Sequence, residues 1–167
     1  MTEIPTLETP RLLLRPFVEA DYPAYGAFLA SQRSRYMGGP YDGWAAWGMF
    51  CHEIACWTLF GHGGLIIERR ADGAGVGVVE INHGPLFPEK ELGWMLYDSF
   101  EGQGYATEAA VAMRDWGFGQ GISTLVSYVE PRNLASAAVA RRVGGVLDPS
   151  APRRDEEDLV FRYGAAG

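Results

Sequence analysis

Long apolar runs are scarce in this chain. None approaches the ~20 residues a membrane-spanning helix needs, so no span is expected. Cysteine is nearly absent. Cys51 and Cys56 stand five apart in one apolar stretch, which is no disulfide framework, and no further cysteine completes a zinc site. Buried free thiols in a reducing compartment are the expectation. Histidine is as sparse: His52, His62 and His83 lack ligand spacing, so no metal is expected. Positive charge is short, with 14 Lys and Arg against 21 Asp and Glu and a net charge of −7. The basic residues are scattered, whereas a face that follows a nucleic-acid backbone clusters them, so nucleic acid is not an expected partner. The acidic balance suits a cationic partner, or serves only solubility. The start of the chain, Met1 to Pro5, has no basic region followed by an apolar one, so no signal peptide is expected and the expected location is the cytoplasm. No Gly-Lys-Ser/Thr tripeptide occurs, which excludes a P-loop.

What is present fits one folded domain. The 167 residues are 47% hydrophobic and 13% aromatic, which supplies a core and argues against disorder. Residues 1–10, with Pro5 and Pro10, read as an extended lead-in to a single domain over 11–164. Strands are expected at 11–17, 64–69, 76–81, 89–97, 124–129, 144–147 and 159–163, where apolar runs are bounded by turn residues. Asp72-Gly73 joins the second and third as a hairpin. Asp21 can cap a short helix with Tyr22, Tyr25, Phe28 and Leu29 on one face. Asp42 can cap a longer one that carries Trp44, Trp47, Phe50 and Trp57 and stops at Gly61. A third runs over 104–118, and Asn133 caps a fourth over 134–143. The tryptophans of the second helix read as core packing, with its N-terminal end near Tyr36 and Trp44 open to line a pocket. The order is α/β: a mixed, mostly antiparallel sheet of six to seven strands with about four helices. The strands at 89–97 and 124–129, joined by a right-handed crossover through the third helix, run parallel.

The stretch from Ser99 to Ala110 stands at that crossover. Strand, glycine turn and helix start form an arrangement that binds phosphate, through exposed N–H groups and the positive end of the helix dipole. Gly102 and Gly104 let backbone approach an anion without a Cβ in the way. The bland alternative is a βα turn whose glycines serve conformation alone. A dinucleotide fingerprint does not fit, because this turn follows several strands instead of the first.

Four segments stand in order: Thr9-Pro10-Arg11-Leu12-Leu13-Leu14-Arg15, Glu91-Leu92-Gly93-Trp94-Met95-Leu96, Gly102-Gln103-Gly104-Tyr105-Ala106-Thr107-Glu108-Ala109, and Asn133-x-x-Ser136 followed by Gly144. Together they resemble the GNAT superfamily of N-acetyltransferases, in its RimJ/RimL-like ribosomal-protein branch, over most of the chain. Two letters depart from that pattern. Glu101 stands where the family has Gln or Arg, and Gly145 stands where it has Phe. A carboxylate at 101 disfavours a neighbouring pyrophosphate unless it points away.

The resemblance implies acetyl-CoA as cosubstrate, no metal, and a GNAT-type sheet whose two parallel strands splay. It places the pyrophosphate on the turn of Gly102, Gln103, Gly104, Tyr105, Ala106 and Thr107. The pantetheine arm would lie along Trp94, Met95 and Leu96 as an added strand, with a backbone N–H there holding the oxyanion. Ser136 is the implied acid, and Asn133 would orient it or the pantetheine; a plain helix N-cap at Asn133 remains the alternative. Tyr128 is a fallback donor or a core residue. The base is left open among Glu80, Glu91, His83 and an ordered water. Arg142, with Arg141, would pair with the nucleotide phosphate or stay as solvated helix-end charge. Tyr36, Trp44, His83 and Tyr128 are expected to line the acceptor pocket. The implied reaction is direct acetyl transfer to a primary amine: a peptide or protein N-terminus, or a small amine such as a polyamine or aminoglycoside. A monomer or homodimer is expected. A non-catalytic acyl-CoA-binding regulatory domain is the alternative.

Overall fold

The computed structural model describes residues 3–164; Met1 and Thr2 of the lead-in lie outside them. The strands are β1 (Leu7–Glu8), β2 (Leu12–Arg15), β3 (Gly64–Arg69), β4 (Gly75–Asn82), β5 (Glu91–Leu96), β6 (Thr124–Val129), β7 (Val146–Leu147) and β8 (Leu159–Gly164). The helices are α1 (Tyr22–Ala30), α2 (Gly43–Phe60), α3 (Tyr105–Gly119) and α4 (Leu134–Arg142), with 3-10 turns at Glu19–Asp21 and Gln32–Met37. One eight-stranded sheet has the order β1-β2-β3-β4-β5-β6-β8-β7, antiparallel throughout except for the parallel pair β5–β6. The eighth strand is Leu7–Glu8, which pairs with Leu13 and Leu14. Two residues carry no readable alternation, which is why this strand is not among the six to seven expected from the sequence.

Successive strand residues point to opposite faces, and helices cover both. Leu65, Ile67, Val79 and Ile81 pack with Ala109, Ala110 and Met113 of α3 and Ala137 and Ala140 of α4. Ile66, Val78 and Met95 pack instead with Tyr25, Phe28 and Leu29 of α1 and Ala46 and Phe50 of α2. Burial on both sides explains why these strands read as apolar runs.

The first and third motif segments form one unit. Glu108, in the first turn of α3, accepts from the Thr9 hydroxyl (2.7 Å), Arg11 N–H (2.9 Å) and Arg11 Nε (2.7 Å). Arg15 at the end of β2 pairs with Asp21 (2.8 Å) and Glu68 (2.5 Å). Asp21 is therefore spent on Arg15 and on the Val18 N–H, and does not cap α1 with its side chain. Asp42 stands at the N-cap of α2 but likewise makes no capping bond. The tryptophans divide. Trp57 is buried and donates to Gly64 C=O (2.9 Å), whereas Trp44 is 87% exposed. The buried stripe of α2 runs through Ala46, Phe50, Glu53 and Cys56, and Trp44 falls outside it.

Candidate active site

The parallel strands β5 and β6 pair at one position only, Glu91 opposite Val126. Lys90 C=O accepts from Val126 N–H (3.0 Å) and Leu92 C=O from the Ser127 hydroxyl (2.5 Å), so even-numbered residues of β5 face β6. Tyr97 N–H donates to Val76 C=O (2.9 Å), so odd-numbered ones face β4. By this alternation Trp94 and Leu96 present their N–H and C=O groups where β6 has left the pairing. A peptide-like ligand can add there as a strand. The Leu96 carbonyl already accepts from Arg33 Nη2 (2.8 Å).

β5 leads into the glycine turn. Gly102 (φ 74°) and Gly104 (φ 82°) both adopt the left-handed conformation, and Gly104 is the N-cap of α3. No side chain caps this helix, so its first N–H groups are available to an anion. Nothing lies within 4 Å of where a Cβ on Gly102 would stand. Arg11 backs the turn, donating to Gln103 C=O (2.8 Å) and lying over the Tyr105 ring at 4.8 Å. The discordant acid has a partner: Glu101 forms an ion pair with Arg33. Its charge is compensated at the turn itself and is not simply solvated.

At the other end of β5 a group of acids is enclosed. The register sets Glu80 opposite Gly93 and Asn82 opposite Glu91, all on the face that α2 covers. Glu53 descends from α2 and is 4% exposed; Glu80 is 7% exposed. Two glycines make the room: a Cβ on Gly93 would stand 2.7 Å from Glu80 Oε1, and one on Gly64 would collide with Glu53 Oε2. Asn82 Nδ2 donates to Glu80 Oε1 (2.8 Å) and to Glu91 Oε2 (3.3 Å). The Tyr25 hydroxyl donates to Glu53 Oε1 (3.2 Å). Burial, followed by the charge of Glu80, pushes Glu91 up to about 8. Burial and then Glu80 also hold Glu53 well above the carboxylate range. A carboxyl near 8 at the foot of a cleft is suited to take a proton from an amine.

The expected residues do not all converge. Glu91 stands where the strands part, and Tyr128 shares its face on β6, where the tyrosine hydroxyl accepts Glu89 N–H (3.0 Å). Asn133 caps α4 by accepting Ser136 N–H (3.2 Å); the Ser136 hydroxyl makes no hydrogen bond among the described residues. Glu80 is neither in solvent nor open to the cleft, because α2 covers it. Arg142 ends α4, next to Val143, whose carbonyl accepts from Arg114, ten residues and about 15 Å along α3 from Gly104. It is not brought to the glycine turn. The four pocket residues also separate. Trp44 begins α2, with Tyr36 in the turn before it, whereas His83 packs on Phe60 at the helix's far end, about 24 Å away. His83 instead lines a cavity of about 670 Å³ with His62, Lys90 and Trp116, at the C-terminal end of α3. No single pocket holds all four.

Comparison with known proteins bears on this geometry. The model of the acetyltransferase (GNAT) domain family matches residues 11–146. The chain belongs to the GNAT acetyltransferase family. An acetyltransferase from Agrobacterium tumefaciens is 60% identical, with a TM-score of 0.95 over 98% of this chain and 96% of that one. The RimL ribosomal L7/L12 α-N-protein acetyltransferase, solved with coenzyme A, shares the fold at 20% identity, with a TM-score of 0.74 over 93% of this chain and 95% of that one. YnaD, an uncharacterised N-acetyltransferase of Bacillus subtilis, is 31% identical over 55 residues. That match covers 32% of this chain and 32% of the relative's own length. Among the described residues no helix of this GNAT domain is long and apolar enough to cross a membrane. Nor does any group of three or more His, Cys, Asp and Glu stand ready to hold a metal ion.

Three residues of this GNAT site escaped the sequence reading: Arg33, Glu53 and Asn82. Glu53 left a trace, being a charge at helical spacing from Phe50 and Trp57 on a buried stripe. Glycine inside both β3 and β5 was a second trace. Arg33 had no local signal beyond the need of Glu101 for a cation.

Proposed function

We propose that this protein transfers the acetyl group of acetyl-CoA directly to a primary amine. The observation that carries the reading is the opening between β5 and β6, which leaves the backbone groups of Trp94 and Leu96 unpaired by β6 and runs straight into the uncapped N-terminus of α3. Pantetheine offers amides to the first, and a pyrophosphate suits the second. Gly102, Gln103, Gly104, Ala106 and Thr107 hold the phosphates. The RimL structure with coenzyme A shares this fold, which supports the placement.

Glu91 serves as the base. A primary ammonium must lose a proton before it attacks the thioester, and the ionised fraction of a carboxyl that titrates at about 8, which grows as pH rises toward that value, takes it. Attack on the carbonyl gives a tetrahedral oxyanion, which a backbone N–H near Met95 and Leu96 stabilises. The C–S bond then breaks as the attacking nitrogen gives up its second proton; the Ser136 hydroxyl relays it, donating its own proton to the leaving thiolate and taking up the one from nitrogen, so that CoA leaves as the thiol. Enclosed carboxylates around Glu91 favour an acceptor that arrives as a cation. Peptide N-termini and small polyamines both meet that condition. The test is release of free CoA thiol from acetyl-CoA with a panel of peptides, polyamines and aminoglycosides. Turnover on one of them is expected; absence of both turnover and CoA binding overturns the reading.

A further inference from the structure

The acid group beneath Glu91 has an unbalanced hydrogen-bond count. Glu53 Oε1 accepts from Tyr25, and Glu80 Oε1 accepts from Asn82. Their other oxygens, Glu53 Oε2 and Glu80 Oε2, are buried and have no donor among the described residues. Two bare carboxylate oxygens at such depth are costly. The two side chains are neighbours: the register sets Gly64 opposite Glu80, and Glu53 Oε2 occupies the space over Gly64. Two ionised carboxylates side by side repel and have no hydrogen to share. One proton between them resolves both orphans. Glu53 is the more buried of the two and lies in α2's apolar stripe, so the proton sits there.

We propose that Glu53 and Glu80 share a single proton, held on Glu53, and that the one negative charge left on Glu80 is presented through Asn82 to Glu91. Both glutamates are then positioning residues for the base. The chain of bonds runs Tyr25 O–H to Glu53, Glu53 O–H to Glu80, and Asn82 Nδ2 to Glu80 and Glu91 together. His52 Nε2 completes it at Asn82 Oδ1 (3.3 Å), which fixes the amide so that its nitrogen faces the acids. The groups around Glu91 are Glu80 and Asn82 from β4, Tyr128 N–H from β6, and Arg154 from the segment before β8. Of these, Glu80 raises its proton affinity, and the others lower it. The negative charge on Glu80 thus adds to burial in raising the proton affinity of Glu91, and Gly64 and Gly93 are glycine because this pair occupies the Cβ space.

This inference rests on the reading of Glu91 as the base, and the test separates the two. Infrared spectra of the resting protein at about pH 9.5, above the titration of Glu91, should retain the carbonyl band of one protonated carboxyl. Glu53→Gln should remove that band with the fold intact, since its amide N–H donates to Glu80 and its oxygen still accepts from Tyr25. In the kcat/KM profile Glu53→Gln should leave the acid limb in place, whereas Glu80→Gln should move it down by about half a unit or more. No protonated carboxyl at that pH, or a band that survives Glu53→Gln, overturns the shared proton. An acid limb unmoved by Glu80→Gln but lost in Glu91→Gln overturns the positioning role. A limb that persists in Glu91→Gln removes Glu91 as base and leaves the infrared result to decide the proton.

Discussion

At the scale of single residues, Glu91 sets the response to pH. Its carboxyl keeps its proton in the folded chain up to about pH 8, whereas an unfolded glutamate releases it at about 4.3. The folded state therefore binds the extra proton across that window, and its stability falls as pH rises through it. Glu91→Gln removes this dependence. The variant should unfold at a higher temperature than the parent at about pH 9, with the difference closing toward about pH 5. It should also lower kcat/KM by about a hundredfold or more and erase the acid limb near 8. Arg33 and Glu101 make a second residue-scale case. Arg33→Ala leaves an uncompensated carboxylate beside the phosphate turn and should weaken CoA binding. Glu101→Gln should hold affinity or tighten it by less than about tenfold, and the double variant should return close to the parent. Calorimetric titration of CoA against the four proteins checks this; additive effects of the two changes would show that the pair is not coupled.

At the scale of elements, the N-termini of α3 and α4 differ in kind. α4 is capped by its own Asn133, so Asn133→Ala should cost about 1 kcal/mol and lower the Tm whether or not CoA is present. α3 begins on a left-handed glycine with no side-chain cap. Gly104→Ala adds backbone strain of about 1 kcal/mol and sets a Cβ 3.2 Å from Arg11 Nη2. Its larger effect should fall on CoA affinity, because a strained turn pressed against Arg11 no longer aims the first N–H groups of α3 at the anion. Elements of this kind were legible in the sequence because their signals are local: apolar runs for strands covered on both faces, and the left-handed glycines for the turn. The candidate site was legible only where a motif carried it. Glu91 and the glycine turn lie in contiguous segments. Glu53, Asn82 and Arg33 act through contacts from other elements, and sequence spacing holds no record of those. The grouping of Tyr36, Trp44, His83 and Tyr128 failed for the same reason, since α2 is long enough to carry its two ends to opposite sides of the domain.

At the scale of the whole molecule, the opening between β5 and β6 parts a sheet whose other neighbouring strands are paired among the described residues, with one register shift between Ile67 and Glu68. Both halves are anchored independently: β5 by its register with β4 from Gly77 to Asn82, and β6 by six pairs with β8. The gap can therefore stay open without loosening either half, and a ligand that fills it ties them together. Amide exchange should report this directly. Without ligand, the Met95 and Tyr97 amides, which face β4, should be protected, and the Trp94 and Leu96 amides should exchange quickly. Acetyl-CoA should slow exchange at Trp94 and Leu96, together with the first amides of α3, and should leave those facing β4 nearly unchanged. The Tm should rise with ligand concentration as linkage requires, by about 2.7 kcal/mol of stability at a hundredfold excess over Kd. Protection that appears only at the glycine turn would mean that the phosphates bind while the pantetheine lies elsewhere, and the strand-addition geometry would then be wrong for this protein.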